Sequence, residues 1–265
     1  MTDSGRANLG RADLGRTGSG LIEPGEMAVG GSESAETESP GKMLGITGTA
    51  STRLAGPFDA ATAGSALSIP PGNGQMTVGL FGGSFNPPHE GHLLVAETAL
   101  RRLGLTRIWW MVTPGNPLKD HGMLRPLEER IAMVRQMAAP ATSNVTAFEA
   151  RYKARFTADT LALVKRRRPD LKIVWVMGAD SMATFHRWQE WQWIAENVPI
   201  VVVDRPGMTF AALSSPFAHR YDFARVPQAA ARSLPYRQAP AWTFLFGPRN
   251  EASSTRLRNA VSKTS

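Results

Sequence analysis

The sequence predicts an α/β protein built on a doubly wound, mostly parallel Rossmann-like sheet with helices on both faces. Three observations carry this expectation. From residue 77 onward, short apolar runs alternate with segments of helical period. Each run is apolar at consecutive positions rather than at every second one, as in strands covered on both faces. The chemically unusual residues all follow strands, where a doubly wound sheet places its ligands.

The first run is Val78–Phe81 (VGLF), followed by a Gly-rich turn and a helical stripe through Leu93, Ala96, Leu100 and Leu103. Ile108–Val112 (IWWMV) predicts a second buried strand, and Leu127, Ile131, Val134 and Met137 mark one face of the next helix. A strand is expected around Val145–Phe148. Thr157 stands where it would cap a helix carrying Leu161 and Val164, ended by Pro169. Ile173–Met177 (IVWVM) and Ile200–Asp204 (IVVVD) are two further buried runs flanking a Trp-rich helical segment. Thr243–Phe246 (TFLF) comes last, and a short helix begins near Ser254.

The 265 residues, 42% apolar with seven Trp, suffice for one sizeable core. No stretch approaches the roughly 18 apolar residues of a membrane helix, and the N-terminus lacks a secretory pattern. Cysteine is absent, which excludes disulfides, thiolate nucleophiles and cysteine-held zinc and fits a reducing cytoplasm. The net charge of +8 divides into −3 over residues 1–74 and +11 over residues 75–265. A basic body suits polyanions such as nucleotides, pyrophosphate or nucleic acid, and equally describes a generic solubilising surface.

Residues 1–74 are rich in Gly, Ala, Ser, Thr and Glu, with Phe58 their only aromatic residue and a near-repeat, GRANL-GRADL-GRTGSG, at the start. They are expected to form a disordered extension. It is either a regulatory tail or the result of a mis-assigned start, with Met76 standing just before the first strand. The folded domain is expected over residues 75–265.

After the first strand comes Gly82-Gly83-Ser84-Phe85-Asn86-Pro87-Pro88-His89-Glu90-Gly91-His92. Gly82 and Gly83 allow close backbone approach and angles closed to other residues. Backbone N–H groups here and at the helix start make a phosphate cradle. His89 and His92 bracket Gly91, so that both rings can address bound phosphates. Neither the Walker loop nor the GxGxxG fingerprint is present.

This segment resembles the signature of the HxGH nucleotidyltransferases, and within them the bacterial nicotinate-nucleotide adenylyltransferase family, with a likeness running from about Val78 to Arg258. The resemblance implies adenylyl transfer from ATP to nicotinate mononucleotide, with magnesium, giving deamido-NAD and pyrophosphate. It implies catalytic roles for His89 and His92, with Gly82, Gly83, Ser84, Phe85 and Gly91 around ATP. Pro114-Gly115-Asn116-Pro117-Leu118-Lys119 is similar to the family's loop for the acceptor phosphate, with Asn116 as donor and Lys119 as point charge. Phe156-Thr157-Ala158-Asp159-Thr160-Leu161 is similar to the segment whose backbone donors, near Thr157, meet the nicotinate carboxylate; Phe156 departs from the family's usual Tyr. Asp180, in Gly178-Ala179-Asp180, is implied at the ATP ribose, and Trp188, in Phe185-His186-Arg187-Trp188, on the nicotinate ring. Trp191 and Trp193 are expected in the core. Ser253, Ser254, Thr255 and Arg258 resemble a second ATP-phosphate contact.

Other features are expected to be inert. Lys165-Arg166-Arg167-Arg168 reads as a solvated helix end, favourable to the helix dipole. Residues 208–240 read as a variable excursion, and His121, His186 and His219 lack metal-ligand spacing. No protein-held metal, nucleic-acid partner or membrane contact is expected; a homo-oligomer is left open. A sister enzyme acting on nicotinamide mononucleotide or phosphopantetheine is an alternative, although FTADTL and FHRW argue against phosphopantetheine. Class I aminoacyl-tRNA synthetases share the HxGH loop, but this chain lacks a KMSKS-like segment. A non-catalytic nucleic-acid-binding protein is the alternative of another class, and it leaves the loop's spacing unexplained.

Overall fold

The computed structural model describes residues 65–115 and 124–247. Six strands form one parallel sheet: β1 Thr77–Gly83, β2 Arg107–Val112, β3 Ser143–Thr146, β4 Lys172–Gly178, β5 Ile200–Val203 and β6 Trp242–Leu245. Their order is β3-β2-β1-β4-β5-β6. The chain direction of winding therefore reverses between β1 and β4, which is the switch point where such sheets bind ligands. The helices are α1 Glu90–Leu103, α2 Leu127–Met137, α3 Phe148–Tyr152, α4 Thr157–Arg167, α5 Ala179–Thr184, α6 Trp191–Asn197, α7 Thr209–Leu213 and α8 Pro216–Arg220.

Continuous apolar strands are needed because each face of the sheet carries its own core. Trp109 and Met111 of β2, with Trp175 and Met177 of β4, join one cluster; Trp110, Val112, Val174 and Val176 join the other. α4 and α6 cover the first face through Leu161, Val164 and Ile194, and α1 and α2 cover the second through Val95, Ala99, Ile131 and Val134. α1 stops at Gly104, whose left-handed φ of 66° few other residues tolerate; its N–H donates to the Leu100 carbonyl.

Several expectations are corrected. Residues 65–74, assigned by composition to the extension, are bound to the domain. The Ala66 carbonyl accepts from Ala147 N–H at 2.7 Å and Thr146 Oγ1 at 2.9 Å, and Ser68 O accepts from the same hydroxyl at 3.1 Å. Arg168, expected to be solvated, donates from Nη1 to Pro70 O at 2.8 Å and is also held by Asp170. The rest of the expected extension lies outside the described residues. Phe148 opens α3 instead of ending β3. Residues 208–240 are integral to the core: Phe217 and Leu234 are buried, and Tyr221 O accepts from Trp242 Nε1 at 2.7 Å. The expected helix near Ser254 also lies outside the described residues.

Candidate active site

The loop between β1 and α1 stands at the carboxyl edge of the sheet, beside the switch point. Gly82 and Gly83 are strand residues, and the expectation that they adopt angles closed to other residues is not met: among the described glycines only Gly104 and Gly207 have positive φ. What they supply is space. A Cβ on Gly82 would lie 2.7 Å from the Trp175 ring, and one on Gly83 3.1 Å from the Phe85 ring. The unusual backbone belongs to Phe85, at φ 45°. Its side chain is buried, edge-on to Phe81 at 5.4 Å and to His92 at 5.1 Å, so Phe85 shapes the loop from beneath.

His89 is the N-cap of α1 and His92 its third residue. The His89 N–H donates to His92 Nδ1 at 3.3 Å, so the proton of a neutral His92 resides on Nε2. The two rings lie with centroids 3.7 Å apart at 31°. His89 is buried, and its Nδ1 has no hydrogen-bond partner among the described residues. Burial, and then the Arg205 guanidinium, push its imidazole down to about 4, against an opposing pull from Asp180. His89 is therefore neutral at physiological pH. Gly91 is buried in the first turn of α1.

Asp180 follows β4, exposed, with Arg205 Nε 3.9 Å from its Oδ1. Arg205 follows β5, where Asp204 organises the turn by accepting from Arg205 N–H at 2.9 Å and Thr209 Oγ1 at 2.6 Å. Sequence reading missed Arg205. Its signal was a cation directly after a buried strand, the position that had singled out Asp180.

A cavity of about 780 Å³ adjoins this edge. Its wall includes Gly82, Gly83 and Ser84, then Thr113, Pro114 and Gly115, and Thr157, Trp175 and Trp188, with the Trp175 ring set against Gly82. The histidines and Asp180 are not part of its wall. The first residues of the signature loop line the cavity, and its histidines stand further on, at the start of α1. Trp188 stands edge-on to Trp175 at 6.2 Å and to Phe185 at 5.3 Å. Trp191 and Trp193 are half-buried against the core, as expected.

Thr157 begins α4 without capping it; Asp159 takes that role, its Oδ2 accepting from Phe156 N–H at 3.3 Å. That bond turns the Asp159 carboxylate back onto the helix start, while the amides of Thr157 and Ala158, as first-turn residues, have no carbonyl partners inside the helix. Glu149, unforeseen from sequence, also lines the cavity and accepts from Thr160 Oγ1 at 2.7 Å. Its burial raises the carboxyl to about 7, with the Thr160 bond opposing. Asn116, Lys119, Ser253, Ser254, Thr255 and Arg258 lie outside the described residues.

Sheet order, switch-point loop and paired histidines together define a nucleotide-binding α/β protein. The model of the cytidylyltransferase-like family matches residues 80–260. A protein of Rhizobium meliloti (strain 1021) named "probable nicotinate-nucleotide adenylyltransferase" is 59% identical over 187 residues, which span 71% of this chain and 100% of that one. One of the same name from Brucella abortus (strain 2308) is 55% identical, covering 71% of this chain and 97% of the relative. A solved structure, the nicotinic acid mononucleotide adenylyltransferase of Plasmodium falciparum complexed with NaAD, shares the fold with a TM-score of 0.52. It has 15% identity and covers 70% of this chain and 83% of its own. The chain belongs to the cytidylyltransferase-like family, in the branch of the nicotinate-nucleotide adenylyltransferases.

Proposed function

We infer that the protein transfers the adenylyl group of ATP to nicotinate mononucleotide, giving deamido-NAD and pyrophosphate. The observation that carries this reading is the histidine pair at the end of a β1–α1 loop whose first residues line a cavity sized for a nucleotide-like acceptor. A phosphate oxygen of the acceptor attacks the α-phosphorus of ATP in line. The bond from that phosphorus to the β-phosphate bridging oxygen breaks, and pyrophosphate leaves. The attacking oxygen is already anionic, so no general base is required. Rate then comes from positioning and from donors aimed at the developing charge.

His92, with its proton on Nε2, donates to the reacting phosphates, and neutral His89 beside it adds no competing like charge. Asp180 meets the ribose hydroxyls, as carboxylates do in other doubly wound sheets. Arg205, next to it, adds positive charge to the nucleotide side. Magnesium enters as the ATP complex, held mostly by phosphate oxygens and water. Asn116 and Lys119 take the acceptor phosphate, and Ser253, Ser254, Thr255 and Arg258 the departing pyrophosphate. In the cavity Trp188 stacks on the pyridine ring. The amides of Thr157 and Ala158 satisfy a carboxylate fully but would face the NH₂ of a carboxamide, while Asp159 is engaged elsewhere.

Pyrophosphate release measured with nicotinate and nicotinamide mononucleotides at equal MgATP tests the reading. The acid should be preferred by at least about 100-fold in kcat/KM. Equal use of the amide would overturn the acceptor assignment, and no release with either would overturn adenylyl transfer.

A further inference from the structure

Among the described residues Arg130 is the largest charged side chain wholly removed from solvent, 1% exposed in the second turn of α2. None of the ion pairs among the described residues includes it. Its guanidinium is spent instead on four main-chain carbonyls. Nε donates to Arg125 O at 2.9 Å, Nη1 to Ser84 O at 2.8 Å and to Thr113 O at 2.7 Å, and Nη2 to Pro114 O at 3.2 Å. Burial pulls its pKa down, partly offset by Glu128, yet an arginine so far above neutrality keeps its charge. A buried cation without a carboxylate is costly. A packing role alone would be served by an apolar residue of similar volume.

The location of those carbonyls is informative. Ladder pairing between β1 and β2 runs to Gly83 opposite Val112, with Thr113 N–H donating to Gly83 O at 3.0 Å. Beyond that the two chains diverge into Ser84 and into Thr113-Pro114-Gly115, and both loops wall the cavity. Where the ladder ends, a single nitrogen, Nη1, bonds to both loops. Nε ties the same group to the chain entering α2.

We propose that Arg130 is a positioning residue for the transfer: its guanidinium clamps the β1 loop to the β2 loop and so sets the gap across which donor and acceptor phosphates meet. This rests on the adenylyl-transfer reading of the two loops. The clamp needs the planar fork, because Lys offers three donors from one point and cannot span carbonyls on three segments. Charge in the right place is therefore not enough. In a reaction governed by positioning, a misplacement of about 1 Å costs on the order of 100-fold.

The test uses the full chain with Arg130→Lys and Arg130→Met, compared with the parent in thermal midpoint, MgATP affinity by calorimetry, and steady-state kcat and KM. The Lys variant should fold, bind MgATP within about threefold of the parent, and lose about 30- to 100-fold in kcat. The Met variant should lose at least as much and melt lower, because four buried carbonyls lose their donors. Parental kcat in the Lys variant would overturn the clamp. So would a fall in kcat that merely tracks weaker ATP binding, or loss of the folded state in both variants, which would make Arg130 a residue of the fold. A parent that releases no pyrophosphate would instead defeat the transfer reading on which the clamp rests.

Discussion

Gly82→Ala isolates what the first glycine of the signature does. The new Cβ would lie 2.7 Å from Trp175 Cη2, where carbon atoms in contact need about 3.5–4 Å. The strand cannot yield easily. Gly82 is paired with Met111 on one side, and the preceding residue, Phe81, is paired with Val176 on the other. The Trp175 ring must therefore move by roughly 1 Å, and an overpacked core of this kind costs about 1–3 kcal/mol. For a domain of this size that corresponds to a thermal midpoint lower by about 3–10 °C. Trp175 is also cavity wall and leans on Trp188, so the displacement reaches the acceptor. A shift near 1 Å there lowers kcat/KM for the acceptor by up to about 100-fold. Gly83→Ala serves as comparison, since the atoms nearest its Cβ belong to the Phe85 ring, at 3.1 Å, a contact that needs only a few tenths of an ångström of relief. Differential scanning fluorimetry and pyrophosphate release on both variants are the assays. A Gly82→Ala protein with the parental midpoint and acceptor kinetics, or a Gly83→Ala protein harmed more, would refute the spatial argument.

Three further outcomes follow from the same geometry. His92→Ala should lower kcat at least about 100-fold; because His92 also caps α1, it should cost about 1 kcal/mol of stability, which His92→Asn restores in part without restoring turnover. A chain shortened to begin at Met76 loses the Ala66, Ser68 and Pro70 carbonyls and should melt several degrees lower at about 1 kcal/mol per lost bond, whereas one beginning at Ser65 should match the parent by fluorimetry. Glu149 has a folded pKa raised to about 7 from 4.5, so its stabilisation is complete below the unfolded value and fades as pH rises towards 7. The midpoint of Glu149→Gln relative to the parent should therefore climb between pH 5 and pH 8, and a constant difference would refute the shift.

What was legible in the sequence was what depends on residue type. Strands β2, β4 and β5 announced themselves because burial on both faces demands unbroken apolar runs. The histidine loop stood out because few backbones other than a ligand loop need that mixture of Gly, Pro and His. The end of β3 was misplaced because an apolar run cannot distinguish a strand from the start of a helix, and Phe148 continues the run after the chain has left the sheet. The docking of residues 65–74 was hidden for a different reason. It is made by carbonyls of Ala66, Ser68 and Pro70, which every residue possesses and no side-chain pattern reveals. Arg130 was hidden likewise, as a cation in a helix whose partners are all main chain. Trp175 acquires meaning only from Gly82, which the fold brings close, whereas Arg205 was legible as a cation after a buried strand and was passed over.

The Phe85 backbone shows how far the histidine motif depends on the core below it. A non-glycine residue held in the left-handed region costs on the order of 1–3 kcal/mol, and glycines were at hand two and three positions earlier in the chain. The conformation persists because the Phe85 ring is fixed among Phe81, His92 and Trp110, the last at 5.4 Å. Asn86 continues the same anchoring, its buried Oδ1 accepting from Arg125 N–H at 3.2 Å. Arg125 also gives its carbonyl to Arg130, which holds Ser84. Side chains and carbonyls on both sides of the loop therefore fix it at Ser84, Phe85 and Asn86, immediately before the histidines. Glycine at 82 and 83 makes room for Trp175 and Phe85; it does not make the loop supple. A site that works by positioning needs this arrangement, because a loop free to adopt many conformations would lose in orientation what it gained in reach.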